Sequence, residues 1–360
     1  MRLKGLARVD ARDNSKNFIY PEDLWLSLDS GEHIFKLGYQ TVNWSSTEAF
    51  HPSDVINSRN QDSNVRNPGK IGELMASYKF LFGNSSLFAY FSPLVRDPIF
   101  PSSTNQFGFG SQLNDPFYIN NDNVLTDDKA IPQFGFKFNT QLSGVDLSFQ
   151  YLSIVDRSQP IILPVCGIVG CTEFDLILPY VQQLGFTTQL PLSEFVLKSE
   201  FIYKIYDEKF INDDLFDQYI APVFLTKRLV QNHGQLALGL ERTSSFSTGS
   251  ELTVLIEFQR MLGLNDTLIY DASLFQNDGF LGFRYALNNE NSSEVFLSSI
   301  FDLDHFKQFI IQASYSQRFL DSWKLETGLQ MVASEQIDDY LGVEAIDGSD
   351  HFYLSFKKYF

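Results

Sequence analysis

The sequence predicts an all-β fold: a transmembrane antiparallel up-and-down β-barrel of about eighteen strands, with sixteen as the alternative count. Three observations predict it. Apolar and polar residues alternate with period two along most of the 360 residues. The connections between alternating segments are short and long by turns, which is the asymmetry of an outer-membrane barrel. Aromatic residues make up 15% of the chain, yet no stretch approaches the ~18–20 apolar residues that a membrane helix needs. A barrel reconciles these facts, because only every second residue of a spanning strand meets lipid.

Taken in order, the strand segments fall at 1–10, 20–29, 33–42, 73–82, 86–92, 133–142, 145–155, 180–190 and 194–206. The second half continues at 217–228, 235–243, 250–261, 267–275, 279–288, 293–303, 307–319, 322–334 and 350–360. Phe134, Phe136 and Phe138 alternate with Gly135, Lys137 and Asn139. Phe195, Leu197, Phe201 and Tyr203 alternate with Lys198, Glu200 and Lys204. Successive side chains of a strand point to opposite faces, so each segment has one apolar and one polar face. The weakest segments are 1–10, 217–228 and 267–275. Short turns follow at Ser30-Gly31, Gly83-Asn84, Ser143-Gly144, Pro191-Leu192 and Asp321. Long loops at 43–72, 93–132, 156–179 and 335–349 occupy the other rim. A β-sandwich also alternates, but it does not call for so many strands of ten residues or more. Residues 1–360 therefore form one barrel domain, with loops 43–72 and 93–132 as candidate lumen plugs.

The closing segment, Phe352-Tyr353-Leu354-Ser355-Phe356-Lys357-Lys358-Tyr359-Phe360, alternates and ends on an aromatic residue. It looks like the last strand of Gram-negative outer-membrane barrels, whose terminal Phe belongs to the signal read by the insertion machinery. The resemblance assigns that role to Phe360. No secretory signal opens the numbering, since Met1-Arg2-Leu3-Lys4 leads straight into charged residues. A barrel in the outer membrane implies a leader already removed.

Charge excludes one class of partner. The chain carries 27 Lys and Arg against 44 Asp and Glu, a net −17, which does not suit nucleic acid. The polar faces nonetheless hold Lys36, Lys79, Lys137, Lys198, Lys204, Arg284, Arg318, Lys324 and Lys357 against Asp146, Glu200, Glu241, Glu257 and Glu326. The inner wall so read is basic and the acidic excess sits in loops. Loop 93–132 carries Asp97, Asp115, Asp122, Asp127 and Asp128 against Arg96 and Lys129. Such a loop either faces lipopolysaccharide and its divalent ions or folds into the lumen. Loop 43–72 balances Glu48, Asp54 and Asp62 with Arg59, Arg66 and Lys70, a set that satisfies itself inside a barrel. The candidate constriction residues are Arg59, Arg66, Asp115 and Asp122, with Lys79, Lys198 and Arg284 on the wall.

A second resemblance rests on Leu37-Gly38-Tyr39-Gln40-Thr41-Val42-Asn43-Trp44, on His51-Pro52-Ser53-Asp54-Val55-Ile56-Asn57, and on Tyr90-Phe91-Ser92-Pro93-Leu94 with Phe100-Pro101. These segments resemble a family of Gram-negative outer-membrane barrels, nearest to the domain-of-unknown-function family thirteen-zero-two. The likeness covers residues 34–102 and the closing strand. Ser45 stands where the family carries Gly after the tryptophan. The resemblance implies an outer-membrane place, suspected transport of apolar or lipidic compounds, and motif residues Trp44, Asp54 and Asn57.

Other chemistry is thin. Cys166 and Cys171, five apart in Cys-Gly-Ile-Val-Gly-Cys, read as a small loop disulfide, with two free thiols as the alternative. Two cysteines do not complete a zinc site. Asn120, Asp122, Asp127 and Asp128 offer hard oxygens for calcium but lack the glycine and spaced Glu of a defined loop. His51-Pro52-Ser53 has the spacing of a barrel hydrolase pair, but its proline blocks strand pairing. No cofactor or metal is expected, and no enzyme. The function expected is an outer-membrane channel for small solutes; the alternative is a structural barrel serving a larger complex.

Overall fold

The computed structural model describes residues 1–9, 17–61, 68–101, 112–167, 170–207, 231–264, 269, 273, 275–320, 322–335 and 343–358. Sixteen strands line up in chain order in one antiparallel sheet. They are β1 (Arg2–Arg8), β2 (Phe18–Ser30), β3 (His33–Gln40), β4 (Glu73–Phe82), β5 (Ser85–Ser92), β6 (Gln133–Leu142), β7 (Val145–Val155) and β8 (Tyr180–Leu192). The second half comprises β9 (Phe195–Ile205), β10 (His233–Ser245), β11 (Glu251–Leu262), β12 (Asn277–Ala286), β13 (Glu294–Asp302), β14 (Phe309–Phe319), β15 (Trp323–Ala333) and β16 (His351–Lys358). The order is that of an up-and-down barrel, with β1 and β16 as the two ends of the sheet.

The count is sixteen in this sheet, the alternative, rather than eighteen. The two surplus segments, 217–228 and 267–275, have no place in its ladder. β9 pairs directly with β10 from Phe195↔Arg242 to Lys204↔His233, and β11 pairs directly with β12. A strand already bonded on both edges has no free N–H or C=O for an inserted neighbour. Segment 217–228 and most of 267–275, like Phe360, lie outside the described residues.

The alternation works as expected. On β11, Leu255 and Glu257 are buried while Ile256 between them is 50% exposed. The same exposed apolar row continues through Leu26, Leu37, Phe91, Phe136, Phe149, Leu184, Leu297 and Phe352 on other strands. An apolar row repeated on strand after strand of one sheet is a lipid face. The tight turns carry left-handed residues where the chain must reverse: Gly31, Gly83, Ser143 with Gly144, and Ser193 all have positive φ. Gly38 is a special case on β3. Its φ is 129°, and a Cβ there would stand 2.2 Å from the Leu24 carbonyl oxygen of β2, so this strand crossing admits only glycine.

Two long loops build a second, smaller sheet. Strands Ile161–Gly167 and Gly170–Leu178 form a hairpin, and Phe117–Ile119 and Gln112–Leu113 pair in parallel with its second arm. The backbone sets Cys166 directly opposite Cys171 in that hairpin; the two cysteine side chains lie outside the described residues.

The lipid-face assignment makes a prediction. Ile256→Arg puts a charge on the mid-strand apolar row and should cost about 2–4 kcal/mol of folding stability in lipid vesicles. Ser314→Arg, on the inner face, should cost far less. Denaturant titration of both variants in vesicles measures this, and equal costs would mean that the faces are reversed.

Candidate functional site: a loop strung across the lumen

The segment between β3 and β4 leaves the wall and crosses the interior. Its base is closed by Asn57. The Val42 N–H donates to Asn57 Oδ1 at 2.7 Å, and Asn57 Nδ2 donates to the carbonyls of Gln40 and Ile71, both at 2.9 Å. Asp54 ties the next layer. It accepts from the Trp44 N–H at 3.3 Å and forms ion pairs with Arg59 at 2.7 Å and Lys70 at 2.5 Å. Trp44, Asp54 and Asn57 thus hold the loop to itself. The Trp44 ring packs edge-on against Phe88 and Tyr90 of β5, and Lys137 of β6 donates to its carbonyl at 3.1 Å.

Beyond Trp44 the backbone runs through a region where wall strands have spent their N–H and C=O groups on the ladder. Two carboxylates supply the missing acceptors. Glu200 on β9 accepts from the N–H of Ser46, from the N–H of Thr47 at 2.9 Å and from the Ser45 hydroxyl at 2.6 Å. Its second oxygen accepts from the Ser53 N–H at 3.1 Å, on the returning arm. Glu257 on β11 accepts from three successive N–H groups: Glu48 at 2.6 Å, Ala49 at 2.8 Å and Phe50 at 3.3 Å. Among the described residues neither carboxylate forms a salt bridge. Their charge is answered by the loop's own donors, which makes these charge-assisted bonds.

The plug spans the barrel. β11 lies eight strands along the sheet from β3, where the loop begins. Phe50 then docks into an apolar pocket of Ala237, Leu255, Phe280 and Ile300 on that far wall. On the way back Gln150 of β7 donates to the Ser53 carbonyl at 3.3 Å. Gly185 on β8 makes room for this: a Cβ there would fall 2.4 Å from the Gln150 amide nitrogen. Contacts from one loop to β6, β7, β9 and β11 require the sheet to curl round it.

The small sheet closes over the plug. Ile119, Ile161 and Ile177 pack with Val55 and Ile56 of the plug and with Met75, Leu152 and Val181 of the wall. The Ser58 hydroxyl and Arg157 Nε both donate to the Arg96 carbonyl, the Ile99 N–H donates to the Arg59 carbonyl at 3.0 Å, and the Gln61 N–H donates to the Ile99 carbonyl at 2.8 Å. Buried ion pairs stiffen this rim. Lys204 meets Asp156 at 2.7 Å, and both are fully buried; Arg157 meets Glu73 at 3.6 Å.

The predicted site residues divide. Arg59 lies inside the plug and serves it, through Asp54. Lys198 bridges wall and plug, 2.8 Å from Glu241 and 3.3 Å from Glu48. Lys79 and Arg284 stand on the inner faces of β4 and β12, Arg284 over the Phe296 ring, and neither bonds the plug among the described residues. Asp115 and Asp122 are exposed on the cover formed by the small sheet and its turns, so the described part of loop 93–132 lies over the plug rather than across the lumen beside it. Arg66 lies outside the described residues. Asn120 Oδ1 is engaged by the N–H groups of Asp122 and Val124 within its own turn, and His51 bonds Ser45 rather than Ser53.

Sequence reasoning placed Glu200 and Glu257 on the inner wall but gave them no task. It also missed the buried carboxylates Asp23, Glu73, Asp278 and Asp302, which offset the basic excess read from the sequence. The plug is therefore held by carboxylates reaching its backbone, not by a basic wall attracting an acidic loop.

No family model matches the chain, and no curated protein sequence matches it. Solved structures resemble it in fold. Wzi of Escherichia coli, an outer-membrane protein involved in group 1 capsule assembly and described as a carbohydrate-binding β-barrel, aligns with a TM-score of 0.51 at 10% identity, over 93% of this chain and 71% of its own. OccAB1 of Acinetobacter baumannii aligns with a TM-score of 0.47 at 7% identity, over 92% and 75%. OccD3 of Pseudomonas aeruginosa gives 0.44 at 12%, over 90% and 75%. The Wzi likeness is one of fold: an outer-membrane-type β-barrel.

Two predictions follow from the plug's anchors. Each donor to a carboxylate contributes about 1.5–3 kcal/mol. Glu200→Ala should raise amide exchange at Ser46, Thr47 and Ser53 by more than about 100-fold, and Glu257→Ala should do so at Glu48 to Phe50. Exchange that stays slow in both variants would show the plug held by something else.

His51 sets the second. Its Nδ1 lies 2.8 Å from the Ser45 hydroxyl that itself reaches Glu200. Burial lowers the imidazole pKa, against the pull of Glu200 and Asp54. The docked state thus binds its proton less readily than the undocked one. Its stabilisation is complete above the ordinary pKa of about 6.5 and is lost as pH falls below it. Amide exchange of residues 45–53 should accelerate between about pH 6.5 and 5, and His51→Gln should flatten that rise.

Proposed function

We propose that the chain is an outer-membrane channel that admits small polar solutes through a lumen narrowed by the segment 43–58. The observation that carries the reading is the way the plug is held. It is strung from β3 to β11 by Glu200 and Glu257, so it divides the interior rather than filling it. The inner faces of β12 to β16 keep polar side chains beside it: Arg284, Ser298, Gln312, Ser314, Glu326 and Lys357. Porin-type barrels carry such polar interiors. Lipid and lipopolysaccharide outside, and the insertion machinery at the closing strand, are the partners this reading entails. The family resemblance of residues 34–102 supports the same place in the cell. It points to apolar or lipidic cargo, but the apolar inner residues Ala237, Leu255, Phe280 and Ile300 are taken up by Phe50, and the wall beneath the plug offers hydroxyls and amides. Polar solutes are therefore the better match.

A second reading has its own observation. The apolar packing of Ile119, Ile161 and Ile177 over Val55 and Ile56 covers part of the mouth, as a sealed structural barrel would. Single-channel recording in planar bilayers separates the two. The parent barrel should conduct, and replacing residues 45–53 by a short Gly-Ser linker should raise its conductance several-fold. Absent current in both proteins would favour the structural barrel, and equal current would put the plug outside the ion path.

A further inference from the structure

Beneath the plug, toward the short-turn rim, lies a cavity of about 520 Å³, within the ~300–1,000 Å³ range of small-molecule sites. Its ceiling is the plug itself, at Trp44, Ser45 and Ser46, and its walls are the inner faces of β4 to β8. The geometry points to this chamber as a binding subsite for a small uncharged polyhydroxylated solute. The proposal deepens the channel reading, since it names what the lumen would hold.

The lining carries the argument. Of seventeen residues around the cavity, nine on the plug, the turn and the inner faces bear an uncharged hydroxyl or carboxamide, among them Ser45, Ser86, Asn139, Ser148, Thr187 and Gln189. Such groups both donate and accept, as the hydroxyls of a polyol do. They are already organised. The Ser148 hydroxyl donates to Asn139 Oδ1 at 2.8 Å, and Asn139 Nδ2 donates to the Ser86 hydroxyl at 3.2 Å. Each link leaves further lone pairs or hydrogens for a ligand, on side chains whose orientation the network fixes.

Charge argues for a neutral occupant. The lining holds one cation and one anion, on different strands. Lys137 donates to the Trp44 carbonyl and stands over the Trp44 ring. Asp146 is met by Gln141 at 3.0 Å. Along β6 the Lys137 position and the partner of Asp146, Gln141, are four residues apart, or about 13 Å. A mobile ion of either sign would meet attraction at one end and repulsion at the other, with no second like charge to clamp it. The ceiling can respond to an occupant as well: Gln189 reaches the Ser46 carbonyl at 3.4 Å, a bond at its geometric limit.

Isothermal titration of the full-length barrel in detergent tests this, with maltose, sodium gluconate and putrescine as probes. Maltose should bind, and both charged probes should bind at least fivefold more weakly. Asn139→Leu with Thr187→Val should weaken maltose at least fivefold, and Asn139→Ala should do so in part if the double variant fails to fold. Ser314→Ala, on the far wall, should leave binding unchanged. Absent maltose binding, equal binding of a charged probe, or full binding in the folded Asn139 variants would overturn the subsite. Current without maltose binding removes the subsite alone; maltose binding without current supports the subsite and removes the channel reading.

Discussion

The structure depends on finding acceptors for a stretch of backbone that has no strand beside it. The strands between β1 and β16 have both edges bonded to neighbours, so a loop crossing the interior among them meets side chains only. Its N–H groups must be satisfied there. Glu200 and Glu257 do this with three or more donors each. A carboxylate is the side chain best suited to the task, since it accepts without donating and offers about four lone-pair directions. The same requirement explains why the loop doubles back. Ser46, Thr47 and Ser53 lie on opposite arms yet share Glu200, which fixes the distance between the arms.

The two rims follow different physics. At the short turns, reversal needs only a few left-handed residues such as Gly31 and Gly83. At the long-loop rim the interior is closed by apolar packing and by buried ion pairs. Lys204 is surrounded there by Asp156, Ser158 and Gln159, and Tyr206 shares the same partners. A buried cation costs much to desolvate unless every donor is matched, and here its three donors are matched. That end is closed by apolar packing and matched ion pairs, whereas the cavity toward the short turns is lined by hydroxyls and amides.

Much of this was legible in the sequence, for a definable reason. Period two survives wherever one face meets lipid, so β6, β9 and β15 were readable from Phe134-Phe136-Phe138 and similar runs. The strand count of the described sheet is the alternative, sixteen, and the two surplus segments are those where the pattern weakens. Segments 217–228 and 267–275 are apolar enough to read as strands, but the β9–β10 and β11–β12 ladders leave no place for them. The charge balance of loop 43–72 was legible, yet the anchors of its segment 43–58 were not. Glu200 and Glu257 look like any other polar residue in an alternating strand, and only three-dimensional closure brings residue 46 to residue 200. Glu73, Asp278 and Asp302 were missed because they sit near strand ends, where facing is hardest to assign.

This changes how the lumen's electrostatics should be read. Counting wall charges from the sequence treats each as free to act on a passing solute. Glu200 and Glu257 are not free, because their lone pairs are turned toward plug N–H groups at close range. Lys198 is shared between Glu48 and Glu241, and Asp54 is spent on Arg59 and Lys70. Away from the plug the inner faces carry Arg284 and Lys324, and Lys357 is paired with Glu326 at 2.8 Å. The plug therefore narrows the lumen and also removes from view the carboxylates that hold it. What a solute meets beneath it is a surface of hydroxyls and amides, while the net −17 of the chain is set largely by residues outside that path.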